Sequence, residues 1–345
     1  MKLFLIAIVL TVFLFSVTPP VPSSNAVTLS VRTFANDSNP IQVLAKNQDP
    51  FGGIQVTGGY VYWINSPTGA YGTQIRRVSE TGGPVQTIFK HQGIQSFFVT
   101  GDLIYWSTGD SLNSLNISTG KIHVLCTVDT SQYCDDPTSI QTSGNYVFFS
   151  YFPNYIVRID TDGAGISPIY QKYPFVIGMA VSSNYLYWSN AVTGQVWRIL
   201  FSGKGAEALS PNLCPGNCTS VSLEGVHSII LSNSSVFWTY NICYSNSSCF
   251  QLVNSVSNSG KHFVSLFKSK SSSFPPIVTS VAYYAGDVIF PFEKSISPPY
   301  QGKIFSVPAS GGKTTLIAKI WAQDSQASSG YLYFSTNTQI DRIAL

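Results

Sequence analysis

Charge is what this sequence has least of. Only 10% of its 345 residues are Asp, Glu, Lys or Arg, and 19 basic against 16 acidic side chains leave a formal net charge of +3. Phosphate neutralisation needs clustered Lys and Arg, and none cluster here, so nucleic acid is excluded as a partner. Histidine is almost as scarce: His91, His123, His227 and His262 are the full set, without a metal-spaced pair, and no Gly-x-Ser-x-Gly element occurs. The familiar zinc-hydrolase and serine-hydrolase signatures are therefore missing. Amphipathic helical periodicity is nearly absent, which argues against a bundle or an α/β fold.

Long apolar runs are also missing, except at the start. Lys2 precedes 15 largely apolar residues, 3–17, then Pro19 and Pro20 break the run ahead of the small residues at 24–26. Such a segment is too short for a span, which needs about 20 residues, and it has the layout of a signal peptide. The expectation is cleavage after Ala26, with residues 1–26 removed and residues 27–345 forming one secreted domain; an uncleaved anchor is the alternative. With no later run of spanning length, no membrane span is expected after cleavage, and a monomer is expected in solution.

Cysteine usage fits an oxidising compartment. Six cysteines stand as three close pairs, Cys126 with Cys134, Cys214 with Cys218 and Cys243 with Cys249. Six allow 15 connectivities, and nearest pairing across short loops is the reading preferred here. Zinc is the rival for Cys214 and Cys218, but the spacing is not that of a zinc knuckle and no His is close. Sequons at Asn36, Asn116, Asn217, Asn233 and Asn246 mark glycosylation candidates for a secreted chain.

What is abundant is aromatic residues, at 14%, and one sentence said seven times. Gly58-Gly-Tyr-Val-Tyr-Trp63 recurs as GDLIYW from Gly101, GNYVFF from Gly144, SNYLYW from Ser183, NSSVFW from Asn233, AGDVIF from Ala285 and SGYLYF from Ser329. Each is a tight turn leading into an aromatic, β-branched strand. The closing aromatics, at 63, 106, 149, 188, 238, 290 and 334, are 39 to 52 residues apart. A period of that size with about four strands per unit predicts an all-β, seven-bladed β-propeller, six blades being the alternative.

Two further columns support the ring. Ten places before each closing aromatic stand Gly53, Ser96, Ser139, Gly178, Ser228, Ser280 and Asp324. Small side chains suit inner strands that converge on an axis. Predicted third strands carry Arg77, Arg158, Arg198 and Arg342 in an Ile-x-Arg-Ile-like frame, expected to fork onto carbonyls of the next blade. The last unit ends at Leu345 without a fourth strand, whereas residues 41–46 resemble one. Pairing the two would close the ring and remove an open edge.

The Tyr-Trp hairpin followed by a polar pair, then Ile-x-Arg-Ile and a Gly-containing turn, resembles the YWTD-type repeat of low-density-lipoprotein-receptor class B propellers. The resemblance covers roughly residues 41–345. The four-letter core reads Tyr62-Trp-Ile-Asn65, Tyr105-Trp-Ser-Thr108, Tyr187-Trp-Ser-Asn190 and Phe237-Trp-Thr-Tyr240, so the family's Asp is never present. Receptor-type propellers usually have six blades, against seven counted here. The resemblance implies the fold and an extracellular binding habit, and transfers no site.

The longer connections all fall on one predicted face. Their aromatics, Tyr71, Tyr133, Tyr151, Phe152, Tyr240, Tyr244 and Tyr300, are the candidates for stacking on a carbohydrate or anchoring an extracellular protein; about half are expected to pack beneath their own loops. The alternative is a hydrolase or lyase at the channel mouth using His227 and Asp324, although a hydrogen-bonded structural role is the commoner fate of such an Asp. Asp135 and Asp136 are read as a solvated acidic loop. No metal site and no cofactor are expected.

Overall fold

The computed structural model of the chain describes residues 39–67, 72–151, 155–172, 175–215, 218–220, 228–244, 249–271, 279–295 and 301–345. Seven antiparallel sheets stand in a ring. Blade 1 is built from Pro50–Thr57, Tyr60–Asn65, Gly72–Ser79 and Gln86–Ile94, in that order from the axis outward. Blades 2, 3, 4 and 6 repeat the order over residues 96–127, 137–170, 176–208 and 282–318. In blade 5 the inner strand comes in two pieces, Cys218–Ser220 and Ile229–Leu231, both paired with Ser235–Tyr244. Blade 7 takes three strands from residues 324–344 and its fourth from Gln42–Lys46.

The seven repeated hexapeptides form the second strands, and their burial explains their composition. Tyr60–Asn65 is buried at every position but the first, because one face meets the preceding blade and the other the following blade. A strand covered on both faces reads as a near-continuous apolar run. Outer strands have lost that cover: Gln86–Ile94 is largely exposed or half-buried. Among the described residues the core is accordingly a set of seven clusters, each shared by two neighbouring blades. One joins Leu44, Tyr333 and Ile340 of blade 7 to Ile54 and Trp63 of blade 1; another joins Phe334 of blade 7 to Ile289 of blade 6. The remaining five complete the circle.

The predicted closure is present. Gln42–Lys46 runs antiparallel to Gln339–Ala344, with Gln42 opposite Arg342 and Lys46 opposite Gln339. Other boundaries shift. The outer strand of blade 1 continues to Ile94 instead of ending at Phe89, so His91 lies within it, stacked 5.8 Å from Phe89. In blade 4 the outer strand shrinks to Glu207–Ala208.

Small residues in the inner column have two physical reasons rather than one. Ser228 and Ser280 are buried to 1% and 0% exposure, as crowding requires. Gly53 and Ser139 instead sit in register irregularities, with φ +101° and +48°, where the backbone conformation favours a small side chain.

Blades 4 and 5 are clasped at a turn. Gly194 has φ +65°, and a Cβ there would meet the Tyr240 ring at 2.5 Å. Trp238 Nε1 donates to Gly194 O at 2.9 Å and the Tyr240 hydroxyl donates to Val192 O at 3.1 Å. Gly194→Ala combines a left-handed penalty with an overpacking penalty and is expected to destabilise the chain by about 2 kcal/mol, as measured by urea unfolding with an unchanged m-value.

Candidate functional site

The channel wall comes first, because the enzyme alternative depends on it. Asp324 is 4% exposed and its Oδ2 accepts from Ile54 N at 2.8 Å, tying the inner strand of blade 7 to that of blade 1. Gln326 Oε1 accepts from Val56 N across the same seam. Gln55 continues the chain into blade 2, donating to Val99 O at 2.9 Å and accepting from Val99 N at 2.7 Å. Side-chain amides and a carboxylate thus complete backbone pairs between strands that diverge too much for a ladder. His227, the other channel candidate, lies outside the described residues. Among the described residues no three His, Cys, Asp or Glu side chains gather to hold a metal ion.

The arginine column is structural in a more elaborate way than a fork onto carbonyls. Each guanidinium lies over the aromatic ring that begins its blade's second strand: Arg77 over Tyr60 at 4.1 Å, Arg158 over Tyr146 at 4.6 Å, Arg198 over Tyr185 at 4.6 Å, Arg342 over Tyr331 at 4.2 Å. Three reach the next blade as expected, donating to Phe201 O, Asn258 O and Glu80 O. Arg77 stays within its own blade, bonded to Gln86 and to the Tyr62 hydroxyl. Tyr333 adds a bond to Glu80 across the blade 7 to blade 1 seam, and burial with that carboxylate pushes its phenol up to about 12.

On the loop-rich face the structure gathers three tyrosines at the edge of blade 3. Tyr151 and Tyr155 are cross-strand partners whose rings stack 5.8 Å apart at 6°. Tyr133 meets Tyr155 edge-on at 5.4 Å. Tyr133 arrives from the blade 2 to blade 3 connection, held by the 3₁₀ turn Gln132–Cys134, by Ser131 capping Tyr133 N, and by the Cys126–Cys134 disulfide. The Tyr151 hydroxyl points to Asp135 Oδ2 at 3.4 Å. Lost hydration and then the Asp135 charge raise its phenol above the ordinary value. Asp135 and Asp136 are exposed, as a solvated acidic loop should be. Half-buried rings beside exposed carboxylates offer an apolar platform with hydrogen-bond acceptors at its rim.

The other stacking candidates divide. Tyr240 is corrected to a core residue: it is 0% exposed, its hydroxyl serves blade 4, and burial lifts its phenol far above the usual range. Tyr244 is half-buried and packs edge-on against Phe250 at 5.9 Å, beside the Cys243–Cys249 disulfide. Tyr71, Phe152 and Tyr300 lie outside the described residues. Cys214 is disulfide-bonded. Of the sequons, Asn233 is exposed in a turn and Asn116 is half-buried with its Oδ1 accepting from Thr119; Asn36, Asn217 and Asn246 lie outside the described residues. Tyr155, the hub of the tyrosine group, was missed from the sequence. Its signal was there, since it opens a third strand directly across from Tyr151.

No protein-family model matches the chain, and no curated protein matches it. Solved structures do. The chain is similar to the extracellular domain of a putative one component system from B. thetaiotaomicron, at 10% identity over 89% of this chain and 40% of that one, with a TM-score of 0.59. It is similar to an oligogalacturonate lyase from Vibrio parahaemolyticus, at 7% identity over 90% and 92% of the two chains, TM-score 0.57. A nidogen/laminin complex aligns at 12% identity over 80% and 97%, TM-score 0.48. At such identities the likeness is one of fold. No helix among the described residues is long and apolar enough to cross a membrane.

Proposed function

We propose that this propeller is a secreted binding module that engages a carbohydrate or an extracellular protein through its loop-rich face. The observation that carries the reading is the Tyr133, Tyr151 and Tyr155 group beside Asp135, on a connection fixed by a disulfide. Rigid aromatic area loses little conformational entropy on binding, and acceptors at its edge give direction. The YWTD-type resemblance of the repeats supports an extracellular habit. Asp324 speaks against the channel alternative, because its carboxylate is spent on a backbone bond between blades.

A glycan array and a pull-down from extracellular matrix extract would supply the ligand. Tyr151→Ala is then expected to weaken binding about 3- to 10-fold, the equivalent of one stacking contact of about 0.5–1.5 kcal/mol. Asp324→Asn should leave binding nearly unchanged. Full affinity in Tyr151→Ala, joined to a measurable turnover that His227→Ala abolishes, would move the functional site to the channel.

A further inference from the structure

A cleft of about 200 Å³ opens between blades 4 and 5, away from the tyrosine group. Its cause is a mismatch in strand length. Blade 4 ends in an outer strand of two residues, Glu207–Ala208, while the third and fourth strands of blade 5, Cys249–Ser257 and Phe263–Ser271, have nine each. The face of blade 5 that strand alternation turns toward blade 4 is therefore incompletely covered. Phe250 and Tyr244 form an aromatic wall, Leu213 from the segment after blade 4 lines the cleft with them, and Leu252 continues its apolar lining.

Two polar groups line this apolar setting. Asn254 lines the cleft, is 0% exposed, and neither its Oδ1 nor its Nδ2 has a hydrogen-bond partner in the protein. A buried amide unbonded at both ends is costly to keep, and such a group asks for an explanation. Lys268 is exposed, with its ammonium 4.4 Å from the Phe250 ring centroid. Among the described residues the one ion pair is Arg198 with Glu207, so the charge of Lys268 is uncompensated. Lys268 stands opposite Leu252 and Ser265 opposite Asn254. The two residues are two strand positions apart on the backbone, and the Lys268 ammonium extends beyond that toward Phe250, which stands four positions, or about 13 Å along the strand, from Asn254.

We propose that this cleft binds a small aromatic carboxylate. A polar group on the far side of the ring bonds the Asn254 amide, which can donate and accept. The ring packs against Phe250 and Leu213, and the carboxylate meets Lys268. A para-hydroxyaryl acid has both the length and the donor-acceptor edge. The site is independent of the tyrosine group and uses none of its residues.

The test is titration calorimetry of the secreted chain with 4-hydroxyphenylacetate. Saturable binding is expected with a Kd below about 1 mM, in keeping with a ligand of this size. Asn254→Leu keeps the branching and heavy-atom count and removes the unbonded amide, so its thermal midpoint should hold or rise while affinity falls at least about 10-fold. Lys268→Met should weaken the acid and leave the neutral 4-hydroxyphenylacetamide unaffected. Tyr151→Ala should change nothing. No saturable binding up to about 10 mM, or equal affinity in Asn254→Leu, overturns the proposal.

Discussion

A chain trimmed to begin at Asn47 is expected to unfold about 10 °C below one that begins at Asn39, and to aggregate on standing at neutral pH. The trimmed segment supplies the whole outer strand of blade 7. Leu44 and Ala45 are buried in the core shared with blade 1, Gln42 accepts from Arg342 Nε at 2.8 Å, and Asn39 donates to Ala344 O at 3.2 Å. Losing two buried side chains and the strand pairing costs about 3–5 kcal/mol. Gln339–Ala344 then becomes an open edge with unpaired backbone groups, a template for a second chain. Scanning calorimetry and light scattering read both effects; equal midpoints for the two chains would disprove the closure.

The second large effect is a gain. Asp341 is wholly buried in the third strand of blade 7, and its one bond is from Gln339 Nε2 at 3.1 Å. Burial pushes its carboxyl up to about 6, with the Gln339 bond opposing. Between pH 4 and 6 the folded chain holds a proton there that an unfolded carboxyl has released. Stability is therefore fully present below about pH 4 as far as this group is concerned, and falls as pH rises through about 6, by about 3 kcal/mol in all. Asp341→Asn keeps the acceptor for Gln339 and carries no charge to desolvate. It should raise stability at pH 7 by about 2 kcal/mol and flatten the dependence between pH 4 and 7. Denaturant melts at pH 4.5 and pH 7.5 would show it; parallel curves for the two proteins would refute it.

The ring was legible in the sequence because its signal is repeated. Seven aromatic hexapeptides at near-constant spacing leave little choice of fold, and a last unit short of one strand points to the partner at residues 41–46. Local pairing of Cys126 with Cys134 and of Cys243 with Cys249 was equally readable, since short loops favour near neighbours. The site was far less so. Tyr240 lies just after a repeated Phe-Trp pair and looked like a loop residue, but the second strand of blade 5 runs on to Tyr244 and buries it. Strand length is set by what the neighbouring blade covers, which no periodicity reports. Asn254 was invisible for the same reason: it reads as one polar residue in a half-buried strand, and only the stunted outer strand of blade 4 leaves a cleft beside it. The arginines were readable as inter-blade links, whereas their stacking on the first ring of each second strand depends on a diagonal cross-strand neighbour.

The hydrogen bond from Asn39 to Ala344 O has a practical corollary for anyone handling this molecule. Asn39 and Leu345, the first and last described residues of the ring, lie at one corner of blade 7, on the side of the glycine turns and opposite the long connections. A biotin, a reporter domain or a bead attached at Leu345 will hold the tyrosine-bearing side outward, accessible to large particles. The same adjacency makes the molecule a ready subject for circular permutation. Asn39 and Leu345 can be joined by a few residues, and new ends cut at Gly82 and Gly83, where φ values of +89° and +121° mark a turn and Gly83 is exposed. Such a rewired ring would have four continuous strands in blade 7 and place its seam in blade 1.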